Sequence, residues 1–355
     1  SLPLFVARMQ QEGLDTIVID TFAAYYRRLE KGATGKLGRD EIGPPDAGNL
    51  VDYDALPEGD PEVLRKLVFC KLNGGLGTGM GLARAKSLLP VKRGLSFLDI
   101  IARQAMHLRQ QGWPVPLLFM NSFNTRDDTL AHLTRYPELA LPGLPLDFVQ
   151  NRFPKVRRDN LAPLETDDDK LCWNPPGHGD IYMSLAISGI LDLLLERGYE
   201  YMFVSNSDNL GAVVDGRIAT YFARHRLPFL MEVCRRTEMD RKGGHLCQSG
   251  DGRLLLRESA QCPEDEVDEF QDISLFRWFN TNNLWINLVA LKQRLEANDN
   301  VLELPLILNA KTVEGVPVFQ VETAMGAAIG VFGGAKAIAV PRSRFAPVKK
   351  TNDLL

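Results

Sequence analysis

Apolar residues near the start of the chain recur in steps of three and four, at Leu14, Ile17, Val18, Phe22, Tyr25 and Leu29. That spacing predicts an amphipathic helix over 14–29, with Asp20 or Thr21 as cap positions if it begins later. Residues 32–61 are rich in Gly, Pro, Asp and Glu, and read as a long connection to the main body. From Leu67 onward the pattern changes. Short apolar runs at 67–72, 115–120, 201–205, 228–234 and 316–321 read as buried strands. Helical spacing at 97–108, 127–133 and 181–197 falls between them. Such alternation predicts an α/β fold with a mostly parallel sheet covered on both faces, whose ligands gather beyond the carboxyl ends of the strands.

Composition narrows the functional classes. With 45% hydrophobic and 24% charged residues, the 355-residue chain is ordinary for a globular protein and longer than one core usually organises. The 41 basic and 45 acidic residues leave a net charge of -4, with no electrostatic footprint for a nucleic acid polymer or an anionic membrane. No apolar run approaches the ~18 residues of a membrane span. The first residues lack the basic start and apolar core of a signal peptide. Five widely spaced cysteines form no C-x-x-C pair, which fits buried packing in a reducing compartment, with cytoplasm as the expected location. The acidic runs 264–269 and 167–169 read as solvated loops.

Four segments carry candidate chemistry. The first, 72–81, reads Leu-Asn-Gly-Gly-Leu-Gly-Thr-Gly-Met-Gly, with Lys86 and Ser87 just beyond. Five glycines in eight residues after a strand leave backbone N–H groups open to an anion such as a phosphate. No G-x-G-x-x-G register fits, and Lys86 is too far on for a P-loop, so dinucleotide-dependent reductases and P-loop enzymes lose support. Lys86 suits a point charge on ligand oxygens, although a lone lysine is as readily a surface residue.

The second segment, 174–180, holds two prolines and two glycines at a helix start and places His178 between the glycines, so the ring is expected to face a cleft. In the third, 203–211, a strand ends in Asn206-Ser-Asp208-Asn209. Asp208 there could cap a turn or hold Mg²⁺ against nucleotide phosphates, and the glycine loop favours the metal. The fourth, 340–351, gathers Arg342, Arg344, Lys349 and Lys350, an economical clamp for a polyphosphate. Serine-hydrolase and zincin motifs are absent.

With these segments in hand, the sequence resembles the eukaryotic-type UTP–glucose-1-phosphate uridylyltransferases, or UDP-glucose pyrophosphorylases. The resemblance runs over 67–355 on KLNGGLGTGMG, NSFNTRDDT, PPGHGDIY, FVSNSDNLGAVVD, FNTNNLW, ETAMGAAI and PRSRFAPVKKTNDLL, in family order. It implies a Rossmann-like nucleotide-diphospho-sugar transferase core over 63–345. A small helical N-terminal region and connection would occupy 1–62, and a linker toward a left-handed β-helix domain would start at 346–355. That β-helix is expected to be absent here.

By the same resemblance, Leu72, Asn73, Gly74 and Gly75 would hold UTP, with Lys86 on its phosphates. Gln150 would read the uracil edge, and Gly177 would lie beside the nucleoside. His178 would touch the sugar phosphate, while Asn206 and Asp208 would meet the sugar, ribose or metal. Lys349 would contact the phosphates at the reacting end, and Gly244, Asn282 and Glu322 the hexose hydroxyls. The cofactor implied is Mg²⁺. The substrates would be UTP and glucose 1-phosphate, joined by in-line attack on the α-phosphorus. One departure is Leu82-Ala-Arg-Ala-Lys86, where the family typically has C-K-G-P-K. Two other readings stay open: another preferred sugar 1-phosphate, or a non-catalytic UDP-sugar-binding subunit. No feature of the chain specifies an oligomeric state.

Overall fold

The computed structural model describes residues 1–76 and 84–348. Eight strands make the path of the main sheet: β1 (Leu50–Asp52), β2 (Leu67–Asn73), β3 (Leu117–Asn121), β4 (Asp147–Val149), β5 (Tyr201–Asn206), β6 (Phe229–Arg235), β7 (Trp278–Asn287) and β8 (Lys336–Ala339). Their spatial order is β1-β8-β6-β7-β5-β2-β3-β4. Every pairing on this path is parallel except the two made by β7. The expected mostly parallel α/β architecture is therefore present. β2 and β5 run side by side at the centre, with Leu72 opposite Asn206, so both release their chains at the same edge.

Alternate residues of these strands leave for opposite faces, as a pleated sheet requires. Val68, Cys70, Met202 and Val204 pack with helices α5 (Ile181–Ile187) and α6 (Ile190–Glu196). Leu67, Phe69 and Phe203 pack on the other face with α3 (Phe97–Gln110), α4 (Arg126–Leu133) and α7 (Gly216–Arg224). There Phe69, Phe203 and Trp285 stack in series, at centroid separations of 5.6 and 4.5 Å. Covering both faces lets the central strands be apolar throughout, which is why they read so clearly in the sequence.

Several elements differ from expectation. The N-terminal helix, α2 (Thr16–Glu30), begins earlier than Asp20, because Asp15 accepts from the Ile17 N–H at 2.8 Å and caps it. A preceding helix, α1 (Leu2–Gln11), buries Phe5 and Met9 against α2. The segment 32–61 is more than a connection, since it supplies β1 to the sheet edge. The long helix expected over 181–197 is two helices bent by 67°. Gly189 breaks it, at a φ of +72° that strains any residue with a Cβ. The strand Val316–Glu322 belongs to a separate three-stranded sheet, on which α1 and α2 pack through Phe22, Tyr26, Val318 and Val321.

Nor are the acidic runs simply solvated. Buried Glu266 accepts from Arg257 and from the Arg39 N–H, and Asp169 pairs with Arg8 and Trp173. All five cysteines are buried and free. Among the described residues, no single helix is long and apolar enough to cross a membrane.

Candidate active site

A cavity of about 430 Å³ opens where β2 and β5 end. Ten of the fourteen expected site residues line it. Leu72, Asn73, Gly74, Gly75 and Lys86 come from the β2 side, and Asn206 and Asp208 from the end of β5. Gln150, Gly177 and His178 close it from the loops after β4 and before α5. Lys349 lies outside the described residues, and Gly244, Asn282 and Glu322 do not line this cavity.

The β2 loop is held from beneath by a polar network whose members Asn121, Ser122 and Thr129 drew no site role from the sequence. Asn73 turns its side chain inward, donating to Asn121 Oδ1 and Thr129 Oγ1 at 2.8 Å each. Its amide N–H groups are thus engaged within the protein, while the residue itself still lines the cavity. Ser122 donates to the Gly74 carbonyl at 3.0 Å, and the Gln150 N–H donates to Asn121 at 2.8 Å. Gln150 lies so close to Gly74 that an added Cβ would sit 2.9 Å from its Oε1. The amide and the loop backbone thus form one wall. The marker motif 121–129 was the available signal for this support, but a sequence does not show which Asn or Ser turns inward.

The opposite wall is the Gly177–Asp180 turn. The Gly179 N–H donates to Thr323 O at 3.0 Å, and the Thr323 N–H donates back to Pro176 O at 2.8 Å. At Gly177, φ is +81° and an added Cβ would lie 2.3 Å from Thr323 O. A Gly177→Ala variant is therefore expected to lose about 1–3 kcal/mol through backbone strain and to bind nucleotide more weakly, measured by urea unfolding and calorimetric titration. Glu322, whose carboxyl pKa is raised by burial, abuts this wall from behind: an added Gly177 Cβ would lie 3.2 Å from its Cβ.

His178 accepts a hydrogen bond at Nδ1 from the Met325 N–H at 2.9 Å. Burial lowers its pKa from 6.5 to about 4, so the ring is neutral near pH 7 and carries its proton on Nε2 as a donor. Below pH 6.5 the unfolded chain gains a proton that the folded ring refuses until about pH 4. Stability is thus present above the unfolded value and falls as the pH drops through that window. His245, lowered to about 2 by burial and by Arg236 and Arg257, acts in the same sense. Urea unfolding at pH 7 and pH 5 should show this loss, and His178→Gln should make it shallower.

Charge gathers at the outer end of the cavity. Lys86 donates to Asp208 Oδ2 at 2.6 Å and to the Val348 carbonyl. The Val348 N–H donates to Asp208 O at 3.3 Å, so the last described residue is tied to both. The expected four-cation clamp is corrected. Arg344 is buried in a bidentate pair with Glu232, at 2.8 and 2.7 Å, and Arg342 pairs with Asp240 at 2.6 and 3.0 Å. Both pairs fasten the segment; buried Arg344 is not available to a polyphosphate, whereas the Arg342 side chain stays 43% exposed beside Asp240. Lys350, like Lys349, is outside the described residues.

The two remaining hexose candidates lie together, away from the cavity lining. Gly244 O accepts from the Asn280 N–H at 3.0 Å, and Asn282 exchanges two bonds with Asn280 at 2.9 and 3.0 Å. Asn280 also reaches to 3.1 Å from where a Gly326 Cβ would be, next to the Met325 that binds His178.

A profile of the UTP--glucose-1-phosphate uridylyltransferase family matches residues 19–355, nearly the whole chain. The protein belongs to this family. Among curated members, the Saccharomyces cerevisiae UTP--glucose-1-phosphate uridylyltransferase is 44% identical over 348 residues, covering 95% of this chain and 69% of that protein. The Solanum tuberosum member is 45% identical and covers 92% and 70%, respectively. The chain thus spans a little over two thirds of these relatives' length. Open and closed structures of UDP-glucose pyrophosphorylase from Leishmania major include one superposing with a TM-score of 0.93 at 46% identity, over 99% of this chain and 78% of that one. A mutant of the same Leishmania enzyme, in complex with UDP-glucose, is equally similar, at a TM-score of 0.94 and 45% identity. Membership agrees with the geometry, since the family motifs converge on the cavity.

Proposed function

We propose that the protein makes UDP-glucose and pyrophosphate from UTP and glucose 1-phosphate. The observation that carries this reading is the convergence, in one cavity of a member of this family, of an open glycine loop with Gln150, a neutral histidine, and the Lys86–Asp208 pair. Leu72, Gly74, Gly75 and Gln150 would receive the nucleoside and its first phosphates, with Gly177 against the ribose. His178 would donate from Nε2 to the sugar phosphate, which needs no change in the ring's protonation.

The attacking phosphate oxygen is already anionic near neutral pH, so the protein needs no general base. Its work is to align the nucleophile with the α-phosphorus and to offset the charge that builds as pyrophosphate leaves. Lys86 would do this at the described end of the site, and Lys349 from the segment following Val348. Gly244, Asn282 and Glu322 would reach the hexose only from outside this cavity lining.

Mg²⁺ is proposed as the cofactor. Asp208 is the one carboxylate lining the cavity, and no cluster of three or more metal-ligating side chains exists among the described residues. This donor set fits an ion held mainly by nucleotide phosphates, because Mg²⁺ commonly takes one or two carboxylates and keeps water. When bound, it would withdraw charge from the phosphates that Asp208 faces. We also propose a cytoplasmic location, supported by the five unpaired buried thiols.

The test is pyrophosphate release by the purified protein with UTP, Mg²⁺ and a panel of sugar 1-phosphates. Release with glucose 1-phosphate as the preferred sugar is expected. Preference for galactose 1-phosphate would overturn the substrate, and no release with any sugar would favour a binding subunit.

A further inference from the structure

Lys71 precedes the nucleotide loop directly and has no part in the roles above. Its side chain is fully excluded from solvent, with Nζ 4.9 Å from the centre of the Phe69 ring. Burying an ammonium costs several kcal/mol unless good hydrogen bonds and opposite charge offset it. Lys71 makes no ion pair among the described residues. Instead its three N–H groups meet three backbone carbonyls: Asn206 at 3.4 Å, Asn209 at 3.2 Å and Ala212 at 3.2 Å.

The carbonyls are those of the last residue of β5 and of the turn that follows it and carries Asp208. Buried carbonyls need donors, and the turn's own backbone gives only part of this. The Asn209 N–H donates to Asn206 O at 3.2 Å and the Ala212 N–H to Asn209 O at 3.4 Å, and Lys71 adds a donor to each and one to Ala212 O. Ser207 adds a second tie to β2, donating through N and Oγ to the Leu72 carbonyl at 3.0 and 2.8 Å. The outer side of the turn is held by Asn209, which donates to Asn283 and to Arg344 O and accepts from the Ala346 N–H. Burial lowers the Lys71 pKa from 10.5 to about 7, and the Asp208 charge is the largest influence opposing that shift.

We propose that Lys71 is a positioning residue for nucleotidyl transfer: its amino group gathers the carbonyls of residues 206–212 onto β2 and so fixes Asp208 relative to Gly74 and Gly75. It touches neither substrate nor reacting atoms, and the inference rests on the transfer reaction proposed above.

The experiment compares wild type, Lys71→Met and Lys71→Gln by steady-state kinetics and amide hydrogen exchange. Methionine keeps the length and loses every donor, whereas glutamine keeps two donors without charge. Lys71→Met should lower kcat at least tenfold, a loss of the order expected when a reacting group is misplaced by a fraction of an ångström, since about 1 Å can cost about 10²-fold. KM for UTP should move less than about threefold, because the loss falls on the transition state and not on binding. Exchange over 206–212 should quicken, and Lys71→Gln should recover part of both. A wild-type kcat in the variants overturns the proposal, as does a loss confined to KM or unchanged exchange. If Lys71→Met does not fold, Lys71→Gln against wild type decides on the same criteria. Failure of the underlying reaction would show separately, as a wild type that releases no pyrophosphate.

Discussion

Replacing Asp208 with asparagine is expected to lower kcat for pyrophosphate release by about 10²–10³, the cost of losing one preorganised electrostatic contact at the reacting phosphates. The substitution keeps the side chain's size and the turn that presents it, and removes only charge. Two consequences follow at the site. Lys86 loses the partner it holds at 2.6 Å, and the cavity loses its one carboxylate. Stability should change little: both members of the pair are about one-fifth exposed (21% and 20%), and such partly solvated pairs are worth no more than about 1 kcal/mol. Kinetics and thermal melting of the same preparation therefore separate a chemical role from a structural one. The Mg²⁺ concentration giving half-maximal rate should also rise. A kcat close to wild type would remove Asp208 from the mechanism. Lys349→Ala should show the same collapse in turnover with an intact fold.

Arg344→Met should be the most destabilising of these changes, at about 3–5 kcal/mol by urea unfolding, because it leaves a buried charge without its partner. Glu232 is fully buried, and besides both Arg344 bonds it accepts from Trp285 Nε1 at 2.9 Å and Asn283 Nδ2 at 3.0 Å. Two neutral donors offset a carboxylate far less than a guanidinium does. Pairing Arg344→Met with Glu232→Gln should recover most of the loss, since position 232 is then uncharged and still hydrogen-bonded, with the longer contact to Asp215 at 3.7 Å still lost. The single variant should also loosen the segment ending at Val348, lowering activity beyond what lost stability explains. Full stability in Arg344→Met would show that the pair is dispensable.

The parts of the site that were legible in the sequence are those whose chemistry is local. A glycine run after an apolar strand, a histidine between glycines and an acid at a strand end announce themselves within a dozen residues, and family order ties them together. Parallel strands bring two such ends to one edge, which is why Leu72 and Asn206 meet opposite each other. The family resemblance supplied Gln150, which no local pattern marks.

What misled was also specific. Arg344 looked like a ligand cation because a sequence displays charge but not its partner, and Glu232 lies 112 residues from Arg344. Asn73 lines the cavity as expected, but its place at the strand end is visible in the sequence while the inward turn of its amide N–H groups toward Thr129 is not. Lys71 drew no attention, since a lysine amid apolar residues has no signature until three carbonyls are found around it.

Sequence by itself therefore determined the family, the two-faced apolar strands and the identities of the loops that build the cavity. Those follow from periodicity and from backbone freedom, which are properties of neighbouring residues. Tertiary structure decided which polar groups face the ligand and which are satisfied within the protein. A charge or amide is free for chemistry only if no buried partner claims it, and that partner is fixed by packing across the sheet.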